Sequence, residues 1–85
     1  MKLKWDEDAW SDYICWQAQD KKTLKRINAL LTDIMRNPLS GIGKFEPLKH
    51  HPGYFSRRID STNRIVYKID GDTVIIAAVK GHYDK

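Results

Sequence analysis

Arg64-Ile65-Val66-Tyr67-Lys68-Ile69-Asp70-Gly71-Asp72-Thr73-Val74-Ile75-Ile76-Ala77-Ala78-Val79 is the stretch whose reading decides the fold. Its polarity alternates with a period of two, which assigns strands to residues 64–69 and 73–79. Asp70-Gly71 between them is a strong two-residue hairpin turn, because such turns need positive φ at their centre. In the first strand, alternation puts Ile65, Tyr67 and Ile69 on one face and Arg64, Val66 and Lys68 on the other. The second strand is apolar on both faces, as expected of a central strand. Upstream, residues 54–59 read as a third strand, joined to the pair by a looser turn at 60–63.

The first half of the chain changes period. Residues 1–5 alternate Leu3 and Trp5 with Lys2 and Lys4, an opening strand. Asp6-Glu7-Asp8 then offers an N-cap and acids for a first helical turn. Trp10, Tyr13, Ile14 and Gln17 follow at helical spacing, with Ala9 and Trp16 widening the apolar arc. Asp20 caps a second helix whose stripe is Leu24, Ile27, Leu31 and Ile34, opposite Lys21, Lys22, Lys25 and Arg26. Asn37-Pro38 ends it, since proline disfavours helix in the residue before it. Gly41, Gly43, Pro47, Pro52 and Gly53 punctuate a loop of about fifteen residues, a length that is usually functional in a compact domain. The order β-α-α-β-β-β predicts one α+β domain over residues 1–85: an antiparallel sheet with a two-helix hairpin packed on one face.

Composition narrows the class. With 41% hydrophobic residues and three tryptophans the chain can fold, and its one cysteine, Cys15, forms no internal disulfide. That usage fits a reducing cytoplasm. No apolar run approaches a spanning helix and no signal-peptide pattern opens the chain, so a cytoplasmic protein without a membrane partner is expected. The net charge of +4 is placed unevenly. Residues 36–68 hold Arg36, Lys44, Lys49, Arg57, Arg58, Arg64 and Lys68 against Glu46 and Asp60 alone, while the flanks are balanced or slightly acidic. Concentrated positive charge points to a phosphate backbone or an acidic protein partner.

If the helices cover the Ile65/Tyr67/Ile69 side, Arg64 points to the open face, and Arg58 shares it when Phe55 and Ile59 are core residues. The basic loop lies upstream and His82-Tyr83 follow the last strand, so these groups are expected to converge on one basic concavity. RNA cleavage needs a base for the ribose 2′-hydroxyl, an acid for the leaving 5′-oxygen and a cation for the phosphorane. Glu46 is the only carboxylate between residues 34 and 59 and qualifies as the base. His82 qualifies as the acid, and Arg64 offers a planar fork to phosphate oxygens. Tyr83 and Phe45 offer faces on which a base can stack. The three histidines and Cys15 show no metal spacing, so neither metal nor cofactor is expected. Gly41-Ile42-Gly43-Lys44 precedes no helix and is weak as a phosphate cradle.

Several motifs together resemble the YoeB/Txe family of the RelE/ParE toxin superfamily. Gly41-Ile42-Gly43-Lys44-Phe45-Glu46-Pro47-Leu48-Lys49-His50 resembles its G-x-G-K-P-E-P-L-K pattern, and Gly53-Tyr54-Phe55-Ser56-Arg57-Arg58-Ile59 its G-[FYK]-W-S-R-R-I. Asn63-Arg64-Ile65-Val66-Tyr67 is similar to H-R-L-V-Y, and His82-Tyr83 to a terminal H-Y. The chain departs from the pattern at Phe45, at Phe55 and in the added Asp84-Lys85. The resemblance implies a RelE-like microbial RNase fold and the toxin of a type II toxin–antitoxin system. It implies an mRNA interferase that cuts mRNA in the A site of the 70S ribosome, leaves a 2′,3′-cyclic phosphate and so inhibits translation. Glu46 would be the base, His82 the acid, Arg64 the transition-state cation, and Tyr83 the group that positions substrate. Lys49 and Arg58 would contact the scissile region, and Lys44, His50 and Arg57 the messenger or ribosomal RNA. A homodimer and a YefM-like antitoxin with an acidic segment are implied as well. The alternatives are a degenerate toxin that binds ribosomes or RNA without cutting, and a ParE-like gyrase inhibitor.

Overall fold

The computed structural model describes residues 1–81. Strand β1 (Lys2–Trp5) leads into helices α1 (Glu7–Gln19) and α2 (Lys21–Arg36), followed by β2 (Glu46–Pro47), β3 (Tyr54–Arg58), β4 (Arg64–Asp70) and β5 (Thr73–Ala78). The five strands form one sheet in the order β1-β5-β4-β3-β2. His82 and Tyr83 lie outside the described residues.

The helix hairpin forms as its sequence dictates, with one correction of face. Asp20 caps α2, its carboxylate accepting from the Lys22 and Thr23 amides at 3.1 Å, which satisfies N–H groups that have no partner within the helix. Asp6 holds the N-cap position of α1 in extended conformation, but its side chain accepts no capping bond. On α2 the stripe Ile27, Leu30, Leu31 and Ile34 is buried. On α1 the inward residues are Ala9, Tyr13 and Trp16, whereas Trp10 and Ile14 are 48% and 45% exposed. Two side bonds settle that rotation: Tyr13 Oη donates to Asn28 at 2.7 Å, and Trp16 Nε1 donates to the Val79 carbonyl at 2.8 Å.

The sheet differs from expectation in two ways. It is mixed, because β1 runs parallel to β5, in register from Lys2–Thr73 to Trp5–Ile76. Alternation specifies which face a side chain takes and carries no information on strand direction, so the parallel pair was invisible in the pattern. The Lys2 amide donates to the Asp72 carbonyl at 2.7 Å and the Asp6 amide to the Ile76 carbonyl at 2.9 Å, fixing both ends of β1. The long loop, second, contains an edge strand: Glu46 pairs with Ser56 and Pro47 with Phe55. Proline has no N–H to give a ladder, and only an edge tolerates it. A register shift opposite Val66/Tyr67 interrupts the β4–β5 pairing.

Parity then separates two faces. Phe55, Arg57, Ile65, Tyr67, Val74 and Ile76 share the helix-covered side, while Glu46, Ser56, Arg58, Arg64 and Val66 share the other. Among the described residues, no helix is long and apolar enough to cross a membrane. Ile34 is fully buried and Leu39 is 57% exposed. Ile34→Ala should therefore cost about 2–5 kcal/mol in urea unfolding, a large part of a typical total of about 5–15 kcal/mol. Leu39→Ala should shift the same curve by no more than about 0.5 kcal/mol.

Candidate active site on the uncovered sheet face

The register of three strands, β2, β3 and β4, brings the central groups together. Glu46 stands opposite Ser56, and Arg58 stands opposite Arg64 one step along β3 and β4. Arg64 Nη1 lies 3.8 Å from Glu46 Oε1 and donates to Ser56 Oγ at 3.3 Å. Ser56 is fully buried, so its hydroxyl is a fixed acceptor. Arg64 Nε is buried and has no hydrogen-bond partner among the described residues. The Arg64 side chain keeps 22% exposure beside the Glu46 carboxylate, and a planar guanidinium suits the oxygens of a phosphate. Glu46 is half exposed, with its side chain at 52%, and open to a ligand.

Gly81, the residue before His82, is tied to the same place. Its carbonyl accepts from the Arg64 amide at 3.2 Å and its amide donates to Asn63 Oδ1 at 2.8 Å. The roles assigned to His82 and Tyr83 fall outside the described residues.

The basic residues divide into three groups. Lys44 and Arg58 line a groove together with Arg26, Gly43, Ile59, Asp60 and Ser61. Arg26, on the polar face of α2, donates to the Arg58 carbonyl at 3.3 Å. Lys49 and His50 are exposed just past β2, where the Leu48 amide donates to the Tyr54 carbonyl. Arg57 departs from the expectation of RNA contact. Its pairing with Ile65 turns it to the helix-covered side, its side chain has no exposure, and its donors are occupied within the protein. Among the described residues, no group of three or more His, Cys, Asp or Glu is placed to hold a metal ion.

The sequence pattern assigns no site role to Ser56 or Arg26. Ser56 was legible in principle, because it shares parity with Arg58 in a strand. Arg26 was hidden in a run of lysines that reads as a solvated helix face.

Gly41 and Gly43 serve packing rather than phosphate binding. Both have positive φ, and a Cβ on Gly41 would meet Asp33 Oδ2 at 2.0 Å, one on Gly43 the Leu30 side chain at 2.7 Å. No side chain fits either position.

A five-stranded mixed sheet with two helices on one side is the α+β architecture of the RelE-like fold. A model of the YoeB-like toxin of bacterial type II toxin–antitoxin systems matches residues 5–83, and the chain belongs to that family. It is 49% identical to toxin YoeB of Escherichia coli K12 over 84 residues, covering 98% of this chain and all of the relative. The YoeB/ParE toxin from Agrobacterium tumefaciens superposes with a TM-score of 0.93 at 40% identity, covering 98% of this chain and 100% of that one. YoeB from Staphylococcus aureus, solved as a dimer, gives 0.90 at 45% identity with 98% of both chains covered. The heterotetrameric complex of YoeB with YefM from the same organism gives 0.88 at 45% identity, again over 98% of both chains.

Asp33 gives a pH test of the frame behind this site. The Arg57 hydrogen bond, with help from the Ile42 amide and against burial, holds its carboxyl below the ordinary carboxylate range. A carboxyl depressed in the folded state stabilises the fold above its unfolded pKa, about 4, and loses that contribution as pH falls through the lower folded value. Urea midpoints of the wild type should therefore drop on going from pH 5 toward pH 2. Asp33→Asn should start lower at pH 7 and fall less steeply.

Proposed function

We propose that this toxin is a ribosome-dependent endoribonuclease that cuts mRNA in the A site. The observation that carries the reading is the Glu46–Arg64 pair on the face away from the helices, with Arg64 braced by Ser56 and the Glu46 carboxylate half exposed beside it. Glu46 removes the proton of the ribose 2′-hydroxyl, and the 2′-oxygen attacks the adjacent phosphorus. Arg64 neutralises charge on the phosphorane. The bond to the 5′-oxygen breaks, that oxygen takes a proton from His82, and a 2′,3′-cyclic phosphate remains. Tyr83 positions the substrate, Lys49 and Arg58 contact the scissile region, and Lys44 and His50 bind RNA.

The reading includes assembly and partners. The solved S. aureus relatives, a dimer and a complex with YefM, support a homodimer and a YefM-like antitoxin for this chain. The exposed Trp10 and Ile14 offer an apolar face for a second copy. The basic middle of the chain suits an acidic antitoxin segment. The work of such a toxin places it in the cytoplasm, with the 70S ribosome and messenger as its targets.

The test maps mRNA 5′ ends in a purified translation reaction with wild type, Glu46→Ala and His82→Ala, beside a ribosome-free control. Cuts confined to A-site codons are expected, absent without ribosomes and reduced about 10²–10⁴-fold in each variant. Stalling without cuts would leave a binder and remove the catalytic roles. Inhibition of gyrase with no effect on translation would overturn the whole reading.

A further inference from the structure

Arg57 lies buried beneath the loop that leads to Glu46. All five of its N–H groups face an acceptor: Nη1 donates to Asp33 Oδ2 at 2.7 Å and to the Ile42 carbonyl at 2.9 Å. Nη2 donates to the Asn37 and Ser40 carbonyls, both at 2.6 Å, and Nε to Tyr67 Oη at 3.2 Å. Tyr67 Oη donates onward to the Pro38 carbonyl at 2.6 Å, and the Ile42 amide donates to Asp33 at 3.1 Å. Four carbonyls of residues 37–42 are thus fastened, directly or through Tyr67, to one strand of the sheet.

The restraint continues toward the site. The Gly43 carbonyl accepts from the Arg58 amide, and the Phe45 ring lies 5.7 Å from the Arg57 guanidinium carbon while stacking on Phe55 at 5.3 Å. The next residue is Glu46. Neighbouring side chains on β3 therefore act on opposite faces: Arg57 gathers the loop from below, and Ser56 and Arg58 sit with Arg64 above. A buried ion pair is seldom the most stabilising choice for an interior, where apolar residues of similar volume often do as well or better. Its gain here is geometry, because a planar fork with fixed donors selects a single loop path.

We propose that Arg57, with Asp33 and Tyr67, is the positioning residue that sets Glu46 opposite Arg64, so that it acts on cleavage through Glu46 and not by touching RNA. This rests on the reading of Glu46 as the base. A lysine would keep the charge and lose the fork, leaving most of the loop carbonyls unheld.

The test compares wild type, Arg57→Lys and Tyr67→Phe, each also in a Glu46→Ala background, in single-turnover cleavage on programmed ribosomes. Amide hydrogen exchange of the isolated proteins is followed by NMR. Misplacing a reacting group by about 1 Å costs on the order of 10²-fold, so Arg57→Lys should lower the saturating rate by about that factor. The half-saturating toxin concentration should stay within about threefold of wild type, and in the Glu46→Ala background the same substitution should add no more than about threefold, the non-additivity of residues acting as a unit. The Ile42 amide should exchange at least about tenfold faster while amides within β4 and β5 keep their protection. Equal losses in both backgrounds, or a weakened half-saturation with the rate unchanged, would overturn the proposal. If Arg57→Lys does not fold, Tyr67→Phe, which frees the Pro38 carbonyl and the Arg57 Nε–H but leaves the other three carbonyls held, must show the same pattern at smaller size. A wild type that cuts nothing defeats the nuclease reading; Ile42 exchange then decides the clamp, and an unchanged rate rejects it.

Discussion

A guanidinium without access to water must find an acceptor for every N–H it carries, and for Arg57 the supply is the backbone of residues 37–42. That demand organises more than one side chain. It requires α2 to stop at Arg36, so that the Asn37 carbonyl is available, and it requires Asp33 on the last turn of the helix to face inward. It also requires glycine at 41, where the chain passes too close to Asp33 for a side chain. Tyr67 is held in the same network: burial pushes its phenol up from the ordinary value, with the Arg57 hydrogen bond opposing. The helix end, the loop and the middle of the sheet therefore form one polar unit within an otherwise apolar interior.

One-sided packing supplies the rest. Because α1 and α2 cover a single face, residues of one parity become core and those of the other remain available. Register then does what no single strand could, lining up Glu46, Ser56 and Arg64 from three strands that are distant in sequence. The two-residue length of β2 suffices for this, since one ladder step fixes which way Glu46 points. The match to the YoeB-like family runs from residue 5 to residue 83 and so spans every strand that contributes to this face.

Much of this was legible in the amino-acid order, and the failures have physical causes. The Asp70-Gly71 turn, the α2 stripe and the shared parity of Arg58 and Arg64 depend on local backbone geometry, which the sequence expresses directly. Strand direction does not, and the parallel β1–β5 pair went unseen. On α1, apolar residues surround so much of the helix that periodicity left its rotation undetermined; docking on Val79 and Asn28 resolves it with Trp10 and Ile14 outward. Arg57 misled because charge normally marks a surface. Its neighbour Arg58 carries the same charge on the opposite face, and the acceptors that make burial tolerable come from a loop about fifteen to twenty residues upstream.

All three tryptophans belong to β1 and α1. Trp5 and Trp10 pack edge to face, Tyr13 lies against both, and Trp16 is bonded to the end of the sheet at Val79. The intrinsic fluorescence of the protein is therefore an optical signal from this corner, where α1 docks and where an apolar face is open. An emission change reports the docking of α1 at that corner, and occupancy of the Glu46–Arg64 face needs a chromophore of its own.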